Sequence, residues 1–160
     1  MDKSAGNKGR RMSSSITFTE FISDEPMSMR TKAVVFSDCR SEDKLYEPKI
    51  WNAVWDTGSS NTVISRKIVE DLGLTKIGQV TARVLGHSSD CGIYLVNIGL
   101  PNRLKVPNLQ VIDGDFDKED FDILIGMDII TLGDLAISHA GNKRVFSFRY
   151  PPSKCIDFTK

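Results

Sequence analysis

WDTGSS, Trp55 to Ser60, admits two readings. Asp followed closely by Gly is ordinary turn chemistry, because the Asp side chain bonds nearby backbone and Gly tolerates φ > 0. The same residues, Asp56-Thr57-Gly58, can also hold a catalytic carboxylate on a sharp turn. Three letters do not separate the two, so the flanks decide. Before Asp56 runs IWNAVW (50–55) and after Gly58 runs NTVI (61–64), so one strand enters the turn and another leaves it. Farther on, FDILIGMDII (121–130) sets a continuous apolar strand against a Gly, the pattern of a strand buried on both faces. Strand, DTG turn, strand presents a carboxylate at the end of a sheet while its backbone is held rigid.

From Met29 onward the remaining punctuation is that of a β protein. TKAVVFS (31–37), KIWNAVW (49–55), GQVTARVL (78–85), IYLVNIGL (93–100), 104–111, 121–125 and VFSF (145–148) are short runs rich in β-branched and aromatic residues, divided by polar, Gly or Pro breaks. Many short strands favour a barrel or sandwich. One helix is expected early: Ser65 can cap RKIVEDL, Ile68, Val69 and Leu72 share a face, and Gly73 stands where a left-handed residue ends a helix. A second short helix is expected from near Asp128 to Gly133. No internal repeat is visible.

At 160 residues the chain has the length of one domain able to bury an ordinary core. Lys plus Arg number 21 and Asp plus Glu number 21, so no net field draws the protein to nucleic acid or an anionic membrane. Cys39, Cys91 and Cys155 are odd in number and widely spaced, which fits free thiols better than a disulfide framework. No apolar run approaches the roughly 18 residues of a spanning helix, and the first 15 residues have no apolar core like that of a signal peptide. The expectation is a soluble, cytoplasmic protein. Residues 1 to about 15 carry Lys3, Lys8, Arg10 and Arg11 among Gly and Ser, and read as a mobile basic arm.

The sequence resembles the retropepsin-like aspartic proteases, most closely the bacterial and prophage-borne members. The resemblance rests on WDTGSSNTVIS, IVEDLGL, YLVNIGLPN, FDILIGMDIITLGDLAIS and VFSFRYPP, and covers residues from about 29 to 152. It implies an all-β fold: a closed β-barrel half with one or two short helices, acting as a symmetric homodimer, with a catalytic Asp in the DTG loop and a hairpin flap over the cleft. The domain reading is therefore a basic arm and lead-in over 1–28, the protease domain over 29–152 and a tail over 153–160.

The chemistry explains why one chain is half a site. Amide hydrolysis needs a water deprotonated while the carbonyl oxygen is protonated. Two carboxyls sharing one proton can do both, because like charges about 3 Å apart cannot both ionise. No second DTG or DSG exists, and Asp113-Gly114, Asp90-Cys91-Gly92 and Gly133-Asp134 lack the pattern. A single-chain enzyme with two lobes would need roughly twice this length. The second carboxyl is then Asp56 of a symmetry mate. VFSFRY (145–150) alternates as an interface strand would, and equally as an intramolecular edge strand.

The resemblance also implies residue roles. Asp56 is the shared-proton acid and base, Thr57 bonds across to the partner's loop, and Gly58 lets the backbone turn and offers its N–H to the carboxylate. The Ser59 hydroxyl can donate to the Asp56 carboxylate, which would lower the dyad's apparent pKa values and favour an acidic optimum. Ile125 and Gly126, in the run 123–126, support the loop from below. Met127 stands where retroviral enzymes often carry Arg, so their Arg-mediated dimer contact does not transfer. The flap tip falls near Gly86, His87, Ser88 and Ser89, in GHSSDCG, with Tyr94 packed farther down the strand.

No metal or other cofactor is called for. DGDFDKEDFD spaces Asp113, Asp115 and Asp117 like a calcium loop, but Lys118 replaces the required Gly and Leu124 the terminal Glu. His87 and His139 with scattered cysteines make no zinc site, and no Gly-rich phosphate loop follows a strand. The expected function is an aspartic endopeptidase acting on polypeptides, without nucleic-acid or membrane partners. Two alternatives remain: a dimeric binding or scaffolding module of the same fold with little turnover, and a nucleic-acid-linked protein using the basic arm.

Overall fold

The computed structural model describes residues 15–22, 24, 27–37, 48–84, 87–153, 155, 157 and 159, the side chains of 83, 84 and 87 excepted. The basic arm over residues 1–14 and Gly86 at the expected flap tip lie outside the described residues.

Six strands close on themselves: β2 (Met29–Phe36), β3 (Ile50–Trp55), β8 (Ile123–Ile125), β4 (Val63–Ser65), β7 (Leu104–Gly114) and β6 (His87–Leu100), with β6 returning to β2. β5 (Gly78–Val84) extends this barrel beyond β6. A separate three-stranded sheet runs β1 (Ile16–Phe21), β10 (Lys143–Tyr150), β9 (Asp134–Ala140). The fold is all-β, with two short α-helices, α1 (Arg66–Asp71) and α2 (Met127–Ile130).

Burial explains the arrangement. β8 lies between β3, to which it is parallel, and antiparallel β4; Ile123 and Ile125 share one fully buried face, whereas Leu124 on the opposite face is half-buried in the wall of the groove, so the strand is buried on one face and not on both. α1 starts at Ser65, whose hydroxyl accepts from Ile68 N–H at 3.3 Å. It stops at Gly73, at φ +57, where Gly73 N–H reaches Glu70 O and Leu74 N–H reaches Val69 O. That paired closure is the helix ending the Gly signals.

The barrel and the small sheet meet at Trp55. Its ring lies 4.9 Å from Phe148, 5.7 Å from Phe146 and 5.8 Å from Phe18, and its indole N–H donates to Thr31 Oγ1 at 3.1 Å. The residue before Asp56 is thus locked by aromatic packing and a satisfied donor, so the strand end that carries the carboxylate does not move freely.

Two strands are absent from the sequence reading. β1, ITFTEF, falls in the lead-in to the 29–152 unit, and β9, DLAISHA, was not read as a strand. Both lie at sheet edges. β10 also requires a correction: it is neither an edge nor an available interface strand, because β1 and β9 pair with its two sides. Its alternation arises because Phe146 and Phe148 point into the core.

At the start of β9, Asp134 accepts from Ser153 N–H and, twice, from the Arg149 guanidinium, all at 2.7–2.9 Å. The Ser153 N–H first, then Arg149, hold its carboxyl below the usual carboxylate range. A lowered folded-state pKa contributes stability above the unfolded value and loses it as pH falls through the folded one. Asp134→Asn is expected to lower the urea midpoint at neutral pH, with the gap to wild type closing in strong acid. Midpoint curves that stay parallel through that range would contradict the linkage.

Candidate active site

Asp56 follows directly from β3, and its N–H donates to Ile125 O at 2.9 Å, continuing the β3–β8 pairing by one bond. The loop then folds on itself: Gly58 N–H donates to Asp56 Oδ1 at 2.8 Å and Ser59 N–H to Asp56 O at 3.2 Å. A Cβ on Gly58 would stand 3.1 Å from Asp56 Oδ1. Gly58 therefore serves close approach to the carboxylate; Gly73 and Gly141, by contrast, have positive φ. Thr57 is exposed at the tip of the loop.

A strap holds this loop from beneath. Met127 N–H donates to Ser59 O at 2.8 Å and Asp128 N–H to Ser60 O at 3.3 Å. Gly126 N–H donates to Thr62 Oγ1 at 3.1 Å, and a Cβ at Gly126 would come within 2.5 Å of the Asn61 backbone. The structure thus places Ile125 and Gly126 against the Asp56 loop. Beneath them is a pair that the sequence reading missed as site residues, Thr62 and Asp128. Asp128 accepts from Thr62 N–H and Thr62 Oγ1, both at 2.7 Å, and from Ile129 N–H at 2.8 Å. Thr62 is fully buried. The only trace in the sequence is an Asp two residues past the Gly of FDILIG, there read as a helix start.

Ser59 departs from expectation. Its hydroxyl donates to Asn61 O at 2.8 Å and not to the Asp56 carboxylate. The single hydroxyl proton is committed to a backbone carbonyl inside the turn, so the proposed lowering of the dyad pKa through Ser59 loses its donor. Ser59→Ala is accordingly expected to leave the pH profile of kcat/KM where it is. A displaced profile would show that the hydroxyl turns to the carboxylate when substrate binds.

Asp56 lines an open groove of about 580 Å³. Ile22, Met29, Val54, Phe121, Leu124 and Ile137 give it apolar walls, and Ser138, His139 and Arg144 stand among its polar lining. Among the described residues, Asp56 is the one acidic residue lining it.

Among the described residues, neither Ser88 nor Ser89 of the expected flap lines this groove. GHSSDCG is also less of a loop than its composition implies. β6 begins at His87, with Ser88 opposite Arg83 and Ser89 opposite Ala82. Ser88 and Ser89 are exposed within the ladder, Thr81 Oγ1 donates to Asp90 Oδ1 at 2.9 Å, and Cys91 is buried. Polar residues mark this hairpin as solvated, not as irregular. The side chain of His87 lies outside the described residues. Asp113 bonds Gly92 N–H and pairs with Arg66 at 3.6 Å, which ties the root of the hairpin to the barrel.

Comparison with solved structures gives a retropepsin-like aspartic protease from Rickettsia conorii at TM-score 0.57 and 11% identity, covering 88% of this chain and 97% of that one. At that identity the likeness is one of fold. The retroviral protease-like domain of Ddi1 from Leishmania major (TM-score 0.44, 14% identity, 74% and 91% covered) and the simian foamy virus protease (0.44, 16%, 64% and 92%) also match. Comparison with curated proteins gives no match. A family model described as aspartyl protease matches residues 48–129. That stretch runs from the strand that delivers Asp56 to the strap that holds its loop, and it makes up just over half of the chain, so this protein belongs to the aspartyl protease family.

Proposed function

We propose that the protein is a homodimeric aspartic endopeptidase in which Asp56 of each of two copies shares one proton and activates a water. The observation that carries this reading is the solitary acid: Asp56 is the one carboxyl among the described residues of the groove, and one carboxyl cannot act as base and acid at once. The geometry around it supports the role. Gly58 N–H bonds the carboxylate and the backbone strap from Met127 and Asp128 holds its loop, leaving the second carboxylate oxygen for water and a second carboxyl. In the forward step, the ionised member of the pair takes a proton from water, and the protonated member donates to the peptide carbonyl oxygen as the tetrahedral intermediate forms. The apolar groove would hold the substrate extended, fixing the scissile bond over the pair.

The test is incubation with a diverse peptide library over a range of enzyme concentrations. Cleavage is expected to have a specific activity that falls on dilution, since only the dimer has a whole site. Constant specific activity from a protein that sediments as a monomer would contradict the half-site reading. A well-formed dimer with no cleavage of any peptide would favour a binding module instead.

A further inference from the structure

Arg144 is the one Lys or Arg among the described residues that line the Asp56 groove. Its place follows from β10. Arg144 lies two residues before Phe146 on the same face of the strand, and the Phe146 ring packs 5.7 Å from Trp55, the residue that leads into Asp56. His139 stands opposite Arg144 across the β9–β10 pairing and lines the same groove. Beside them Met27 and Ile137 present apolar side chains, 68% and 61% exposed. A fixed cation in a groove that also carries the reacting carboxyl is placed to select charge.

The groups that Arg144 already holds indicate what it accepts. One terminal nitrogen, Nη2, bonds the Asp24 carboxylate, while the other, Nη1, meets the Met27 thioether sulfur at 3.5 Å, a weak acceptor. Two other arginines differ. Arg30 sets both terminal nitrogens on the Asp120 carboxylate at 2.8 Å each and its Nε on Ser28 Oγ at 2.7 Å, and Arg149 sets Nε and Nη2 on Asp134 at 2.9 and 2.7 Å. Their forks are filled by carboxylates, whereas one arm of the Arg144 fork faces sulfur. Asp24 is moreover 79% exposed, and an ion pair so open to water shifts an equilibrium by about fivefold at most. A carboxylate arriving with further contacts in the groove displaces it and can take two parallel N–H bonds from the guanidinium.

We infer that Arg144 is a specificity-determining residue, selecting polypeptide substrates with an Asp or Glu side chain at one fixed position relative to the scissile bond, and that Asp24 is the internal carboxylate exchanged for that side chain. The exchange leaves the guanidinium paired before and after, so no unpaired cation is created in the partly buried wall. Lys or Arg at the same position is rejected by like charge, which makes the selection two-sided. Gln matches the shape of Glu but brings one acceptor oxygen and no charge. The inference rests on the peptidase reading above and names the substrate class for the same groove.

The test uses one diverse peptide pool and two readouts: cleavage by wild type, and binding to Asp56→Asn, which keeps the groove without turnover. A selected sequence is then remade as a matched pair with Glu or Gln at the selected position. Wild type is expected to cleave the Glu form with a kcat/KM about tenfold above the Gln form, and Asp56→Asn to bind it about tenfold more tightly. With Arg144→Gln added, both ratios are expected to fall to near one. With Arg144→Glu, the preference is expected to turn to Lys or Arg at the same position, which damage to the fold would not produce. Asp24→Asn removes the internal competitor and is expected to raise the Glu-to-Gln ratio about two- to fivefold, which serves should the Arg144 variants not fold. A pool with no acidic selection in either readout, or a ratio that persists in Arg144→Gln, would overturn the proposal, and any cleavage seen would leave the peptidase reading in place. Acidic selection in binding that Arg144→Gln abolishes, with no cleavage by wild type, would keep the subsite and remove the peptidase reading.

Discussion

Asp56→Asn is expected to lower kcat/KM for peptide hydrolysis by at least about a thousandfold, within the range that loss of a positioned acid or base produces. The amide can neither hold nor release the shared proton, so both halves of the exchange fail together. The fold should not suffer. Asn retains an oxygen that can accept the Gly58 N–H, now at 2.8 Å to Asp56 Oδ1, and the strap from Met127 and Asp128 is backbone-mediated. A thermal midpoint near that of wild type is therefore part of the prediction. Mixing gives a sharper form of it. If copies exchange at random in an equimolar mixture, about half of the wild-type chains pair with a mutant partner, and activity per wild-type chain falls to about half. Simple additivity after full exchange would show that each copy works alone.

Asp128→Ala should produce the largest loss of stability among substitutions near the loop, about 3–4 kcal/mol. The carboxylate satisfies Thr62 N–H and the Thr62 hydroxyl at 2.7 Å each, and Thr62 is fully buried. Removing the acceptor leaves two buried donors without a protein partner, which costs far more than the net value of the bonds themselves. The Ile129 N–H at the helix start is released as well. Asp128→Asn keeps one acceptor oxygen and is expected to lose roughly half as much. The measurement is the urea midpoint at unchanged m-value, which separates a stability change from an altered unfolded state. Because Gly126 N–H depends on Thr62 Oγ1, a loosened Thr62 should also cost activity beyond the stability loss, seen as a fall in kcat with folded protein still in excess. An Asp128→Ala protein as stable as wild type would mean that water replaces the carboxylate in that niche.

Local chemistry was readable wherever neighbours in sequence are neighbours in space. The DTG turn, the apolar strand of FDILIG and the α1 boundaries at Ser65 and Gly73 each depend on contacts within a few residues, so their composition carries them. The closed barrel half could be anticipated because the strand runs and the family resemblance agreed. The same locality set the errors. The hairpin at GHSSDCG looked like a loop, because a ladder exposed on both faces needs no apolar alternation. β9 is faintly marked for a related reason, since its residues from Ile137 to Ala140 are all exposed, whereas β1 buries Phe18 against Trp55, a contact across 37 residues that no local pattern records.

By itself, the sequence determined that Asp56 sits on a strand-flanked turn, that no second such turn exists in the chain, and that the fold is built of short strands. Tertiary structure alone decided what each side chain bonds to. Ser59 donates to Asn61 O because the turn brings that carbonyl within 2.8 Å of its hydroxyl, and Asp128 reaches Thr62 across 66 residues because β8 returns between β3 and β4. It also decided that β10 is interior and β9 is the edge. Pairing partners are set by which strands the closed barrel leaves adjacent, and an alternating pattern such as VFSFRY records only that one face is buried, not which neighbour lies on either side.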